Sequence, residues 1–269
     1  MTDIIIKSNW GISSFFKTSK PCELYIDTLP TTKKDLIRVL WLVEPPEVFD
    51  IQKLVIERKE EFDLILCWQQ NILDTCENSK LFPFGTCWIS DFDINLEKEY
   101  CVTSLVGGKG FTHNQQLRQV LPSIVSQIKT IPVELFNSKN GPFLGLPKIE
   151  RSIISPVVKN ELFYSQFHIV IENVCYRNFF TEKIIDCFQT KTIPIYLGCP
   201  NINDFFDSRG MFIVSSIDEI KEVCNKITTT TYANMKEFVN KNYELSFKYA
   251  NYKKNLDQEI ASFVENYRV

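Results

Sequence analysis

The sequence alternates short apolar runs with stretches whose apolar residues recur at helical spacing. Runs rich in Ile, Val, Leu, Phe and Tyr predict β-strands at 3–6, 23–26, 38–43, 63–67, 100–106, 131–136, 167–171, 192–197 and 211–214. Many of these runs are separated by enough residues for a helix. The alternation therefore predicts α/β units with parallel sheets.

Helical spacing is clearest between these runs. The apolar residues from Leu117 to Ile128 lie on one face of a helix predicted over 114–128, where Pro122 is expected to kink the helix or break it in two. Further helices are predicted over 51–58, from Glu182, over 218–227, and as two or more segments from Tyr232 onward.

The polar stretch DFDINLEKEY, at 91–100, has no apolar periodicity and is the best candidate for a domain boundary. We therefore predict an N-terminal domain over 1–96, a C-terminal domain over 97–245, and C-terminal helices over 246–269.

Composition excludes several classes of protein. With 44% hydrophobic and 23% charged residues the chain can bury a core, and a net charge of −3 gives no electrostatic case for a nucleic-acid partner. No apolar run approaches the ~18 residues of a membrane span, and the first residues do not resemble a signal peptide. The expected location is cytoplasmic.

The cysteines fit that expectation. There are nine, none in a C-x-x-C pair, and several, such as Cys67 and Cys101, lie inside apolar runs. Reduced, buried, structural thiols are therefore expected rather than a zinc site or disulfides.

Polar residues follow two of the predicted strands. The run at 167–171 ends in Glu172 and Asn173, and the run at 192–197 ends in Gly198. In open α/β sheets ligands bind outside the carboxyl ends of the strands, so these residues are candidates for a binding crevice.

A helix start lies between those strand ends. Thr181 is a candidate N-cap, which would leave the backbone N–H groups of the next residues for a phosphate, and Lys183 adds a positive charge. Glu182 could accept hydrogen bonds from ribose hydroxyls. For an isolated T-E-K triplet, a capped helix with a first-turn acid and a solvated lysine would be the simpler interpretation.

The wider segment IENVCYRNFFTEKIIDCFQTKTIPIYLG resembles the signature of the α1,3-fucosyltransferase family, glycosyltransferase family 10. The matching residues are Glu172, Asn173, Thr181, Glu182, Lys183, Pro194 and Gly198. The resemblance implies the GT-B fold, with two Rossmann-like domains facing a central cleft, and a GDP-fucose donor. It also implies that Asn173, Glu182 and Lys183 contact the nucleotide, and Phe179 and Thr181 are further donor-binding candidates, with Glu172 as a possible one. Phe179 stands where the family often has Tyr, so a phenolic hydroxyl is missing and the donor stays open.

Upstream, YCVTSLVGGKGFTHNQQLRQVL is similar to the first strand and helix of the family's donor domain, where a basic residue reaches the pyrophosphate. The resemblance gives that role to Arg118. Gly107 would allow close backbone approach, and Lys109 and His113 are further candidates, although a structural or solvated role is favoured for both.

The N-terminal half resembles the family least. Glu44 ends the strand predicted over 38–43, where the family's acceptor domain offers a carboxylate, so Glu44 is the candidate general base and Glu47 the second candidate. A turn cap before Pro45 is an equally good interpretation of Glu44. Trp10, Trp41 or Trp68 could line an acceptor site.

These inferences predict an inverting glycosyltransferase that moves a sugar, with fucose favoured, from a GDP-linked donor to a glycan hydroxyl. No cofactor or metal is required, because Arg118, Lys183 and the helix-start amides would stabilise the leaving diphosphate. The D-x-D of Asp91 and Asp93 is interpreted as structural. The last helices, 246–269, are expected to pack back on the N-terminal domain, as the GT-B fold implies.

Two alternatives remain open. The same scaffold could use another GDP- or UDP-sugar, for example xylose, or the chain could be a non-catalytic glycan- or nucleotide-binding protein on a decayed transferase fold. A chain without an anchor or stem would suit a bacterial or virus-encoded member of the family.

Overall fold

The structure is a computed structural model that describes residues 2–8, 17–138, 151–153 and 156–268. The chain folds into two compact units. The first comprises Met1–Phe84 together with Asn251–Val269, and the second comprises Gly85–Ala250.

The first unit is built on a five-stranded, all-parallel sheet. In spatial order its strands are β2 (Ile5–Ser8), β4 (Cys22–Ile26), β5 (Ile37–Trp41), β6 (Leu64–Cys67) and β7 (Ser79–Leu81). A separate antiparallel pair joins β1 (Thr2–Asp3) to β3 (Lys17–Thr18).

Successive residues of the central strands point to opposite faces of this sheet, and each face is covered by helices. Leu24 and Ile26 of β4 pack in one apolar cluster with α7 (Tyr252–Asn266), whereas Tyr25 between them packs in another with α1 (Gln52–Glu57) and α2 (Gln70–Thr75). The sheet is therefore buried on both faces, as parallel sheets usually are.

The second unit holds a six-stranded, all-parallel sheet. In spatial order its strands are β10 (Arg151–Ile153), β9 (Val133–Ser138), β8 (Glu99–Val106), β11 (Ser165–Ile171), β12 (Ile193–Leu197) and β13 (Phe212–Ile213). Numbered within the unit this order is 3-2-1-4-5-6, the order of a Rossmann fold.

Helices cover both faces of the second sheet too. They are α3 (His113–Val125), α4 (Glu182–Gln189), α5 (Ile217–Lys226) and α6 (Thr231–Ser246). Ile169 and Ile171 of β11 pack in the cluster that contains residues of α3 and α5, and Val170 packs in the cluster that contains Ile184 and Phe188 of α4.

Most predicted elements are present, but one helix is unbroken at its proline and four short elements were not expected. A kink or a break was predicted at Pro122, and the break is absent, because α3 runs through Pro122 as one continuous helix. The short strands β3, β7 and β10 and the six-residue helix α2 are not predicted by the sequence pattern. Each is too short to show a clear period.

The limits of the two units differ from those predicted at 96/97 and 245/246. Cys87, Ile89 and Phe92 pack against the core of the second unit, although their surroundings are polar in sequence, and Tyr249 lies within that core. The backbone N–H of Cys87 also donates to the carbonyl of Ala250 at 2.9 Å. These contacts assign both segments to the second unit.

Candidate functional site

The second sheet changes its direction of winding between β8 and β11. From β8 the chain continues outward to β9 and β10, and it then returns to β11 on the other side and continues to β12 and β13. The connections that follow β8 and β11 therefore lead to helices on opposite faces of the sheet, which is the position where open α/β sheets bind their ligands. We call this region the strand-end site; it comprises Thr112, Arg118, Asn173, Thr181, Glu182 and Lys183.

The β8–α3 connection is fixed by a helix cap. The hydroxyl of Thr112 accepts a hydrogen bond from the backbone N–H of Gln115 at 3.1 Å, and the Gln115 side chain accepts from the Thr112 N–H at 3.3 Å. The T-x-x-Q spacing of this capping box was readable in the sequence but was not used. The Thr112 hydroxyl also donates to the carbonyl of Asn173 at 2.6 Å, so the two strand-end connections are joined.

Glu172 has a structural role that the sequence interpretation did not foresee. Its side chain is fully buried, and its two oxygens accept hydrogen bonds from the backbone N–H and the hydroxyl of Thr181, at 2.9 and 2.8 Å. Rather than facing a ligand, Glu172 holds the N-cap residue of α4 in position.

The rest of the β11–α4 connection is also preorganised. Asn178 has a positive φ of 65°, which Asn tolerates better than most residues. Its backbone N–H donates to the Asn201 side-chain oxygen at 2.8 Å, and the Asn201 amide donates back to the Asn178 side chain at 2.9 Å. This reciprocal pair fixes the chain just before α4 begins.

Lys183 lies among three oxygen atoms at the start of α4. Its Nζ is 2.9 Å from the Thr181 hydroxyl, 3.2 Å from Glu182 and 3.5 Å from Glu172. Burial alone would raise the pKa of Glu182, but the charges of Lys183 and Lys159 outweigh it and hold that pKa at about 2. Glu182 is therefore an anion at neutral pH.

Arg118 projects from α3 to the same region. Its Nη2 donates to the side-chain oxygen of Asn173 at 2.5 Å. Its Nε is buried and has no hydrogen-bond partner in the described part of the chain. Burial lowers the pKa of Arg118, while the charges of Glu172 and Glu182 oppose that shift.

The other residues predicted as candidates for nucleotide binding differ in their exposure to solvent. Phe179 is only 3% exposed, so its ring presents little surface to a ligand. Lys109 and His113 are exposed, on the connection before α3 and at its first residue. Cys175 is the exposed exception among cysteines expected to be buried, and its Sγ accepts from the Asn114 amide at 3.1 Å.

Gly198, at the end of β12, is required by packing. A Cβ at this position would lie 2.5 Å from the Tyr196 hydroxyl and 2.7 Å from Cγ of Glu172. The absence of a side chain at Gly198 thus leaves room for the buried carboxylate of Glu172, which anchors Thr181.

Sequence reasoning did not predict a role for Asp186 of α4 or for its two partners from outside that helix, Lys159 and Trp88. Asp186 is fully buried and accepts from Nζ of Lys159 at 2.5 Å and from the backbone N–H of Trp88 at 2.8 Å. Lys159 is 8% exposed, whereas Trp88 is 50% exposed. The sequence offered only Asp186 itself as a signal, an acid between the apolar residues Ile185 and Cys187, since its partners are distant along the chain.

Glu44 lies in the first unit, where Asp27 positions its backbone. Asp27 follows β4 with a φ of 48°, and its carboxylate accepts from the N–H groups of Val43, at 2.9 Å, and of Glu44, at 3.3 Å to the nearer oxygen. Glu44 is half-buried and Glu47 is exposed. Both make further interactions, and their catalytic roles remain predictions.

Two of the tryptophans suggested for an acceptor site are interior residues. Trp41 is 1% exposed, stacked on Tyr252 at 5.6 Å between ring centroids, and Trp68 is 2% exposed, with Nε1 donating to the Val43 carbonyl at 3.0 Å. Trp10 lies outside the described residues.

Among the described residues, no cluster of three or more His, Cys, Asp or Glu side chains could hold a metal ion. Asp93 of the D-x-D instead accepts from the backbone N–H of Asn95 at 2.9 Å. No helix in the described ranges combines the length and apolar character that a membrane crossing needs.

Comparison with solved structures gives the class of fold, which is that of GT-B glycosyltransferases. A crystal structure of an α1,3-fucosyltransferase matches 92% of this chain and 78% of its own at 16% identity, with a TM-score of 0.56. A crystal structure of α1,3-fucosyltransferase with GDP-fucose matches 100% of this chain and 92% of its own at 15% identity and a TM-score of 0.56. The lipopolysaccharide outer core galactosyltransferase WaaB, in its apo form, matches 90% and 75% at 11% identity and a TM-score of 0.58.

The predicted GT-B fold is confirmed, and the structural similarity to α1,3-fucosyltransferases agrees with the sequence resemblance. At these identities the likeness concerns the fold. No family model and no curated protein sequence matches the chain.

Proposed function

We propose that the chain is an inverting glycosyltransferase that moves a sugar from a nucleoside-diphosphate donor to a glycan hydroxyl, with GDP-fucose as the favoured donor. The fold supports the transferase class, and the signature from Glu172 to Gly198 supports fucose. The proposal for the second unit is that the strand-end site binds the nucleoside diphosphate.

The observation that carries the proposal is the state of Arg118. The Nε of Arg118 is buried and has no partner in the described part of the chain, which is costly because an unmade hydrogen bond leaves the desolvation of that donor uncompensated. A diphosphate oxygen would supply the missing acceptor together with the opposite charge. A guanidinium already held by Asn173 also loses little conformational freedom when a ligand binds.

The start of α4 completes the proposed diphosphate site. Thr181 caps the helix, Lys183 supplies a second cation, and the first-turn N–H groups provide the positive end of the helix dipole. Lys183 would exchange its 3.2 Å contact with Glu182 for a phosphate oxygen. The freed carboxylate, an anion at neutral pH, would then accept hydrogen bonds from the ribose hydroxyls.

Transfer would proceed by single displacement. The acceptor hydroxyl attacks the anomeric carbon, a carboxylate removes its proton, and the nucleoside diphosphate leaves from the opposite face. Glu44 is the proposed base. Arg118, Lys183 and the amides would stabilise the charge of the leaving group, so we propose that transfer needs no divalent metal.

Calorimetric titration with GDP, UDP, GDP-fucose, GDP-mannose, UDP-glucose and UDP-xylose, with a chelator present, tests the donor. We expect GDP-selective binding that Arg118→Ala weakens strongly and Arg118→Lys weakens less. Preference for UDP would retain glycosyl transfer and remove fucose. No binding of any of these ligands would overturn the proposal.

Turnover separates an enzyme from a binding protein. Glu44→Gln should keep donor affinity and abolish transfer, and Glu77→Gln, an exposed acid elsewhere in the first unit, is the matched control. Full activity of Glu44→Gln would reject it as the base. Tight donor binding by the unaltered protein, with neither hydrolysis nor transfer, would favour a binding protein on a decayed scaffold.

A further inference from the structure

Trp88 is a large aromatic residue on the surface of the second unit. Its side chain is 50% exposed, unlike Trp41 and Trp68, which are buried. Leaving half of a tryptophan residue exposed to water forgoes part of the stabilisation that burying a large apolar side chain provides. Scattered exposed hydrophobic residues need no explanation by themselves, so the surroundings of Trp88 decide whether it has a role.

Those surroundings fix Trp88 on α4. Its backbone N–H donates to one oxygen of the fully buried Asp186 at 2.8 Å, and the other oxygen of Asp186 accepts from Lys159 at 2.5 Å. The Nζ of Lys159 also lies 5.4 Å from the centroid of the Trp88 ring. An anchored backbone and a cation against the ring hold the indole in one position, which suits a preformed contact surface.

The helix relates Trp88 to the strand-end site. Asp186 lies four residues after Glu182, so the two acids share one face of α4 and are about one turn apart, ~5.4 Å along the axis. Lys159 acts electrostatically on both: burial opposes its charge, but Asp186 and Glu182 together raise the pKa of Lys159 above the ordinary value. Trp88 is therefore bonded, through its backbone N–H, to a residue of α4 that lies one helical turn after Glu182, the carboxylate proposed to hold the ribose.

We propose that Trp88 is the surface on which the nucleobase of the donor stacks, an inference that rests on the proposed function. A base is joined directly to the ribose, so a ribose bound at Glu182 carries its base to a distance of about one helical turn. Indole is flat, polarisable and still half-exposed, and aromatic side chains contribute to nucleotide binding mainly by stacking. The charged site at Arg118 and Lys183 would then select the diphosphate, and Trp88 the presence of a base.

The test compares a ligand that has a base with one that lacks it. GDP and inorganic pyrophosphate are titrated into the unaltered protein, Trp88→Ala and Trp88→Phe. Phe247→Ala is the matched control, because Phe247 is 51% exposed and packs edge-on against Tyr243 at the end of α6. Indole fluorescence is recorded in the same titrations.

We expect Trp88→Ala to weaken GDP binding by about 5- to 100-fold while leaving pyrophosphate binding unchanged. Trp88→Phe should retain most of the GDP affinity and lose most of the fluorescence change that GDP causes. Phe247→Ala should match the unaltered protein. Equal GDP affinities of Trp88→Ala and the unaltered protein would overturn the stacking inference and leave the proposed function standing.

A parallel loss of GDP and pyrophosphate affinity in Trp88→Ala would also overturn the inference, because it would show a disturbed α4 rather than a lost stacking contact. If the unaltered protein bound no nucleotide, the stacking inference and the proposed function would both fail, which separates that result from the preceding ones.

Discussion

At the scale of single residues, the strand-end site is a set of charges whose partners are already arranged. The buried carboxylate of Glu172 accepts hydrogen bonds from Thr181. Glu182 forms an ion pair with Lys183, and Arg118 donates a hydrogen bond to the side chain of Asn173. Residues with the same formal charge thus have different roles: Glu172 supports the helix start from inside, and Glu182 is the acid available for exchange with a ligand.

The ionisation of Glu182 gives a prediction for stability against pH. Its pKa of about 2 lies below the ordinary 4.5, so its stabilising effect is complete above about pH 4.5 and is lost as the pH falls toward 2. Glu182→Gln should lower the free energy of unfolding by on the order of 2–3 kcal/mol near neutral pH. The difference from the unaltered protein should shrink steadily below pH 4.5, as measured by urea unfolding at several pH values.

Glu161→Gln is the control for that series, because Glu161 is exposed on the same unit. Its effect should be small throughout. A Glu182→Gln difference that stayed constant from neutral pH down to about pH 3 would contradict the low pKa.

The sequence predicts those parts of the site in which the interacting residues are close together along the chain. Thr181, Glu182 and Lys183 were predicted because capping and the signature are local patterns. The enclosed position of Glu172 could not be predicted in the same way. Whether a carboxylate faces a ligand or an N-cap depends on how the loop folds back, and spacing does not carry that information.

At the scale of elements, the buried ion pair between Lys159 and Asp186 attaches α4 to the segment that precedes β11. A buried pair is strongly destabilising when only one partner is removed, since the other charge is left in an apolar environment. Lys159→Met or Asp186→Asn alone should therefore cost about 3–5 kcal/mol, and the double variant should cost clearly less than the sum. Urea unfolding of the four proteins completes this cycle.

Asn is chosen at position 186 because its side-chain oxygen can still accept the hydrogen bond from the Trp88 N–H. Additive losses in the cycle would show that Lys159 and Asp186 do not stabilise α4 as a pair.

Gly198 follows β12 directly and packs against Glu172, the carboxylate that holds the N-cap residue of α4. In Gly198→Ala the added methyl group would lie 2.5 Å from the Tyr196 hydroxyl and 2.7 Å from Cγ of Glu172. Either the end of β12 or the Glu172 side chain must therefore move. We expect a loss of about 1–3 kcal/mol of stability, typical of overpacking, and weaker GDP binding because Glu172 anchors Thr181. Thermal unfolding and calorimetry measure the two effects.

Gly107→Ala is the matched control for stability, since its nearest neighbour would be the Ser138 hydroxyl at 3.6 Å, an ordinary contact. If Gly198→Ala were as stable as Gly107→Ala, the close packing around the Glu172 carboxylate would not be a constraint.

Elements with a long apolar period were predicted and short ones were not. β8 and β11 are seven or eight residues long and mostly buried, whereas β7 has three residues and no apolar alternation. The helix α3 was expected to be kinked or broken because proline removes a hydrogen bond. Its apolar contacts on the sheet, such as Leu121 and Ile124, lie on both sides of Pro122 and offset that loss.

At the scale of the whole molecule, the chain starts and ends in the same compact unit. Residues after Ala250 return to the first sheet, where α7 buries Leu256, Ile260 and Val264 against β4 and β5. These residues are spaced by four, so they form a single stripe along the helix. The stability of the first unit therefore depends on the last residues of the chain, although the proposed donor site lies entirely in the second unit.

That division predicts separable effects of a core substitution in α7. Ile260 is fully buried, so Ile260→Ala should cost the first unit about 2–4 kcal/mol through lost burial and a residual cavity. Because the residues of the strand-end site belong to Gly85–Ala250, GDP affinity should stay unchanged. Hydrogen exchange of peptides from β4 and β5 should accelerate while peptides from β11 and α4 keep their protection. Glu265→Ala, on the exposed side of the same helix, should change neither quantity. Faster exchange in β11 and α4, or a weaker GDP interaction, would mean that the two units depend on each other for their stability.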